Sequence, residues 1–146
     1  MRSVYLIGIG GIGMSALARY YHHAGYYVAG YDKTPSKITA ELEKEGMSVH
    51  FEDNLELIPE CVKNNSDETL VIYTPAVPSD MGELEYFRNN KYRLIKRSLA
   101  LGEIASSKRT LAVAGTHGKT STSTLLAHIM NSSGKGCTAF LGGISK

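Results

Sequence analysis

The chain has 146 residues, with 16 Lys and Arg against 14 Asp and Glu, a formal net charge of +2 and 42% hydrophobic residues. That length suits one domain, or one domain and part of another, and buries enough surface to need neither disulfides nor a structural metal. The scattered charges exclude a basic nucleic-acid face, the apolar content excludes a disordered chain, and no stretch reaches the roughly 18 apolar residues that argue a membrane span.

Ser3 to Ile7 is a short apolar run that predicts a strand; Gly8, Gly10, Gly11 and Gly13 follow, and then Met14, Leu17, Ala18 and Tyr21 at helical spacing. Arg2, the apolar stretch from Val4 to Ile12 and Ala16-Leu17-Ala18 imitate a signal peptide, but the four glycines break the even apolar helix such a peptide needs. Tyr27 to Tyr31 predicts a second strand closed by Asp32, and Thr34-Pro35-Ser36 restarts a helix whose polar body ends at Gly46. Met47 to Phe51 and Leu70 to Tyr73 read as strands three and four, the latter stopped by Thr74-Pro75. Val77-Pro78-Ser79-Asp80 leads into a helix carrying Leu84, Tyr86 and Phe87, and Tyr92 to Ile95 gives a fifth strand. A helix over Arg97 to Ser106 ends in the polar joint Ser106-Ser107-Lys108. The pattern then restarts as strand Thr110 to Ala114, loop Gly115 to Gly118, helix Lys119 to Met130 and strand Thr138 to Leu141.

Strands alternating with helices predict an α/β fold, a Rossmann-like parallel sheet with helices on both faces, followed by the start of a second α/β domain. The expected division is 1–107 and 108–146, the second part being too short for a nucleotide-binding domain of its own. Cys61 and Cys137 lie far apart with no metal-ligand spacing, which fits a reduced, cytoplasmic compartment, and the sequons at Asn64 and Asn131 are then chance matches.

Two loops carry chemistry. Gly8, Gly10 and Gly13 spell G-x-G-x-x-G between a strand and a helix, so that a diphosphate can approach the backbone and meet the helix N-terminus. Asp32 follows the last glycine by 19 residues (32 − 13), where an acidic side chain accepts from a ribose hydroxyl. This pattern leaves the ligand open; NAD is its default. Gly115-Thr116-His117-Gly118-Lys119-Thr120-Ser121 is the working end of a P-loop, in which backbone N–H groups cradle phosphates, Lys119 reaches the terminal phosphates and Thr120 offers its hydroxyl to Mg²⁺. Val113 stands where the usual spacing has a glycine, so the loop is a variant. Together the loops point to a protein holding one diphosphate-bearing ligand and ATP. An NAD-dependent oxidoreductase and a non-catalytic nucleotide-binding module remain as alternatives.

Gly8-Ile-Gly-Gly-Ile-Gly-Met-Ser15 and Ala114-Gly-Thr-His-Gly-Lys-Thr-Ser121, in this order and about this far apart, resemble the Mur ligases of peptidoglycan synthesis. His117 is part of that likeness, because members that add later amino acids usually carry asparagine there. The resemblance implies a first domain that binds a UDP-sugar rather than NAD and a second that binds ATP and Mg²⁺. The reaction it implies joins L-alanine to UDP-N-acetylmuramate through an acyl phosphate, with the related murein-recycling tripeptide ligase as the alternative within the family. Carried over by position, Gly10, Gly11, Ile12, Gly13, Met14 and Ser15 would hold the diphosphate, and Asp32, His50, Thr74, Pro75 and Ala76 would border the uridine. Gly115 to Ser121 would bind ATP, with Lys119 and Thr120 catalytic and Thr120 the metal ligand. Thr74-Pro75 departs from the small hydroxyl residues common at that place. Family members are longer, three-domain proteins, so the chain is expected to be an N-terminal portion that binds the UDP-sugar without catalysing the ligation.

Overall fold

The computed structural model describes residues 2–142, and their chain path divides into two compact units, Met1–Ile104 and Ala105–Lys146. The first unit is built on five parallel strands: β1 (Ser3–Ile7), β2 (Tyr27–Tyr31), β3 (Ser48–His50), β4 (Thr69–Tyr73) and β5 (Arg93–Lys96). Their order in the sheet is β3-β2-β1-β4-β5, with Ser3 opposite Tyr27 on one side and Thr69 on the other. The connecting helices are α1 (Ile12–His23), α2 (Lys37–Lys44), α3 (Glu60–Lys63) and α4 (Gly82–Asn89), and α5 (Arg97–Ser106) follows β5. The predicted fold class stands: this is a parallel α/β sheet.

β1 is buried at every position, as a central parallel strand covered on both faces must be. Tyr5, Ile7 and Val71 pack with Ile58, Val62, Leu84 and Phe87, so that α3 and α4 cover one face. Val4 and Leu6 alternate to the other face, where α1 lies on β1 and β2 and α2 lies on α1. Arg19 ties that second layer together, its guanidinium donating to both carboxylate oxygens of Glu45 at 2.9 Å and to Glu41 at 3.3 Å.

The sheet order fixes where a ligand can sit. From β1 the chain moves to β2 on one side, and from β4 to β5 on the other, so a crevice opens beyond the carboxyl ends of β1 and β4. Gly8, with φ of 87°, turns the chain out of β1 at that crevice. A Cβ at Gly8 would lie 2.6 Å from the Thr74 methyl, so the loop after β4 closes directly on the glycine loop after β1.

The second unit differs from expectation. Its one regular element among the described residues is α6 (Lys119–Ser132). The strands predicted over 110–114 and 138–141 do not form. A β-strand exists by pairing in a ladder, and neither run joins one among the described residues; Leu111 is 67% exposed. Residues 52–68, unassigned from the sequence, hold α3 and two 3₁₀ turns at Leu55–Leu57 and Ser66–Glu68. No helix among the described residues is long and apolar enough to cross a membrane.

Candidate functional site

At the carboxyl edge of the sheet, the glycine loop is held by the neighbouring strand. The amides of Gly8 and Ile9 both donate to the Tyr31 carbonyl, at 2.7 and 3.0 Å. One step further the Gly10 amide donates to Asp32 Oδ2 at 2.7 Å, so the aspartate that ends β2 is joined to the loop it was expected to serve. A side chain at Gly10 would strike Asp32 Oδ2 and the Thr39 methyl, each 2.8 Å from its Cβ.

Past Gly11 the helix N-terminus is bare. Gly11 offers no side-chain cap, and the first turn of α1 carries no acidic residue. Among the described residues no hydrogen bond is recorded for the amides of Ile12 and Gly13, the first two of the helix. α2 makes the contrast: its N-cap Ser36 accepts from Thr39, and Thr39 reciprocates. Of the expected diphosphate residues, Gly10, Gly11, Ile12 and Gly13 face this edge. Met14 and Ser15 are both buried, the Ser15 hydroxyl donating to the Ile12 carbonyl at 3.0 Å, so these two fix the helix from within and offer the edge no side chain.

The second half of the edge is stitched across loops. Asp53, in the loop after β3, accepts from the backbone amides of Gly82 at 2.8 Å and Glu83 at 2.9 Å, capping α4 from another segment. His50, at the end of β3, has both ring nitrogens engaged: Nδ1 lies 2.9 Å from the Glu52 carbonyl and Nε2 lies 2.7 Å from the Tyr5 hydroxyl. Tyr5 donates to Glu83 Oε2 at 2.7 Å, while Glu83 Oε1, fully buried, has no hydrogen-bond partner and sits 3.4 Å from His50 Nε2. Burial, with the Asp53 charge adding to it, pushes the Glu83 carboxyl up to about 7, against the opposing pull of the Tyr5 and Asn54 donors. Burial likewise raises the Tyr5 hydroxyl and lowers the His50 imidazole.

The expected uridine border is thus brought together in part. Asp32 meets the glycine loop and Thr74 meets Gly8, while Pro75 and Ala76 are exposed in the loop after β4. His50 arrives at the edge with both ring nitrogens engaged internally. Three participants escaped the sequence reading. Tyr5 lies inside the run that predicts the first strand, and Glu83 inside the helix predicted after Asp80. Arg97 looked like the first residue of α5, yet its guanidinium lies against Gly13, where a Cβ would collide with it. A signal existed for Glu83: it shares a helical stripe with Phe87, four residues on and fully buried.

In the second unit, Gly118 caps α6 with φ of 76° and no side-chain bond, giving a second bare helix N-terminus after a glycine-rich loop. Lys119 folds back over that loop, donating to the carbonyls of Gly115 at 2.5 Å and Thr116 at 3.2 Å. Thr120 sits in the first turn of α6, and Gly115, Thr116, His117 and Ser121 are exposed around it. These donors suit the phosphates of a nucleotide. Among the described residues no cluster of three or more His, Cys, Asp or Glu could hold a metal ion.

Comparison with known proteins gives a consistent result. The family model "Mur ligase family, catalytic domain" matches residues 3–109. A UDP-N-acetylmuramate–L-alanine ligase of Porphyromonas gingivalis is 60% identical over 145 residues, covering 99% of this chain and 32% of the relative, and one of Cytophaga hutchinsonii is 56% identical over 146, covering 100% and 31%. The crystal structure of UDP-N-acetylmuramate–alanine ligase from Thermotoga maritima matches with a TM-score of 0.82 at 33% identity, over 99% of this chain and 33% of that one. A murein peptide ligase from Psychrobacter arcticus matches with a TM-score of 0.79 at 29% identity, over 92% and 27%. The chain therefore spans about a third of the length of the curated relatives it matches.

Proposed function

The chain belongs to the Mur ligase family, and we propose that it is the N-terminal portion of an ATP-dependent ligase that joins L-alanine to UDP-N-acetylmuramate in peptidoglycan synthesis. The observation that carries this reading is the pair of unbonded amides at Ile12 and Gly13, at the end of the glycine loop in the β1–β4 crevice, which suits a diphosphate. Named relatives that share this chain at 48–60% identity act on UDP-N-acetylmuramate.

In the proposed division of labour, residues 1–107 hold the UDP-sugar. The amides of Ile12 and Gly13 receive the diphosphate, Asp32 the ribose, and the edge formed by His50 and Thr74 to Ala76 borders the uracil. Residues 108–146 contribute the phosphate-binding loop of the ATP domain, where Lys119 leaves its own carbonyls for the terminal phosphates and Thr120 offers its hydroxyl to Mg²⁺. ATP supplies the γ-phosphate that converts the lactyl carboxylate to an acyl phosphate; attack by the alanine amine then releases phosphate and forms the amide. This chain's residues bind and orient; the amino-acid site and the remaining metal ligands belong to the rest of such an enzyme. The same reading places the protein in the cytoplasm, where UDP-sugar and ATP are made.

The test is calorimetric titration of the chain with UDP-N-acetylmuramate, and with NADH under the same conditions. Saturable binding of the UDP-sugar alone is expected. Binding of NADH alone would return the first loop to dinucleotide chemistry and defeat the proposal.

A further inference from the structure

Arg97 occupies an electrostatically odd place. It begins α5 directly after β5, on the strand beyond β4, and its side chain reaches back over the crevice to lie on Gly13. All three nearest neighbours that a Cβ at Gly13 would meet are atoms of Arg97. The third glycine of the loop is therefore the space the guanidinium occupies, rather than the contact between helix and strand that the motif alone suggests.

A helix N-terminus carries positive partial charge and attracts anions, and a cation placed there is repelled. α1 nevertheless has no acidic residue in its first turn and no capping side chain. Arg97 has no ion-pair partner among the described residues, whereas the other arginine of this edge of the sheet, Arg93, is paired with Glu103 at 2.6 Å. Two unbonded amides and an unpaired guanidinium thus converge on one spot, all donors and all positive. An anion with several acceptor oxygens lying between them would meet all three donors at once. A planar guanidinium matches phosphate oxygens in pairs, which a lysine in the same place does not.

We infer that Arg97 is a diphosphate-binding residue of the first loop, clamping the UDP diphosphate against the amides of Ile12 and Gly13 from across the crevice. The inference rests on the reading of that loop as a UDP-sugar site and adds a side chain to a site otherwise made of backbone. It also gives β5 a part in binding, since the strand delivers the clamp.

The 146-residue chain, as Arg97→Ala, as Arg97→Lys and unaltered, is titrated with UDP-N-acetylmuramate at several salt concentrations, with circular dichroism confirming that each variant is folded. Arg97 is exposed, and its removal leaves no cavity. Arg97→Ala is expected to weaken binding by roughly ten- to a hundredfold, the range for a hydrogen bond to a charged group. Its affinity should also depend less steeply on salt, because one screened charge pair is gone. Arg97→Lys should restore the salt dependence but only part of the affinity. Unchanged affinity in Arg97→Ala, or a loss with the salt dependence intact, overturns the clamp and leaves the UDP-sugar reading standing. If the unaltered chain binds no UDP-N-acetylmuramate, the reading of the site fails and the clamp fails with it.

Discussion

Glu83 is a carboxylate with no exposed surface, and the proton count around it decides its state. His50 Nδ1 faces the Glu52 carbonyl, so in the neutral ring Nδ1 carries the hydrogen and Nε2 accepts. Tyr5 has one proton and two takers, Glu83 Oε2 and His50 Nε2, each at 2.7 Å. With Glu83 ionised, one acceptor is left unserved. With Glu83 protonated at Oε2, the carboxylic acid donates to Tyr5 and Tyr5 donates to His50, so that both contacts of the Tyr5 hydroxyl are matched and only Oε1 stays without a partner. The folded chain therefore holds the Glu83 proton more tightly than the unfolded chain does, at about 7 against an ordinary 4.5. Stability from this group is fully present below the unfolded value and is lost as pH rises through 7, by on the order of 3 kcal/mol. His50, lowered by burial, acts in the opposite sense: its contribution is present above the ordinary histidine value and fades as pH falls below it. Glu83→Gln isolates the carboxylate. Urea unfolding from pH 4.5 to 8 should show the variant gaining on the parent as pH rises, and clearly more stable at pH 8. Parallel curves would mean that Glu83 is ionised throughout.

At the scale of elements, Asp53 links the loop after β3 to the start of α4. Its two bonds to the Gly82 and Glu83 amides do the work of an N-cap that Met81, the local N-cap residue, cannot do. Asp53→Ala should cost about 1 kcal/mol in denaturant unfolding. Asp53→Asn keeps one accepting oxygen and removes the charge that raises Glu83, so it should cost less and shift the Glu83 titration downward; an equal cost for the two would make the charge, not the cap, the stabilising feature. Gly30, in the middle of β2, is bound more tightly. A Cβ there would collide with the Leu6 backbone carbonyl of β1, which cannot move without breaking the ladder. Gly30→Ala should therefore destabilise by roughly 2 kcal/mol or more, within the range for overpacking a core, as a fall in the thermal midpoint.

Much of this layer was readable from sequence. β1, β2 and α5 have their predicted bounds, and β4 and β5 lie within a residue of theirs, because glycine and proline punctuate short apolar runs between helical patterns. The glycine loop and Asp32 were equally legible, since spacing alone puts them at adjacent strand ends. What escaped was whatever depends on who stands opposite. The runs at 110–114 and 138–141 had strand composition but form no ladder among the described residues, and the four-residue α3 is too short to leave a period. Tyr5, Glu83 and Arg97 come from β1, α4 and α5, and no local pattern announces that three such side chains serve one edge.

For the whole molecule, burial divides the chain unequally. The first unit contains every fully buried side chain, from Val4 in β1 to Ala100 in α5. In the second, α6 buries no residue, and Leu125 and Ile129 are 63% and 62% exposed on it. A 14-residue helix draws most of its stability from packing an apolar face, and this one buries no residue fully. Local opening should therefore cost little in α6 and approach the global unfolding energy in β1 and β4. Hydrogen exchange followed by mass spectrometry should find α6 amides exchanging orders of magnitude faster than those of the central strands. Addition of saturating UDP-N-acetylmuramate should slow exchange at Gly10–Gly13 and at the loops after β3 and β4, and leave α6 as it was, because the proposed ligand binds only the first unit. Protection of α6 by the UDP-sugar would instead mean that the two glycine loops are coupled already in this chain. ATP would then have to be titrated in the presence of the sugar, since linkage requires each ligand to change the affinity of the other by the same factor.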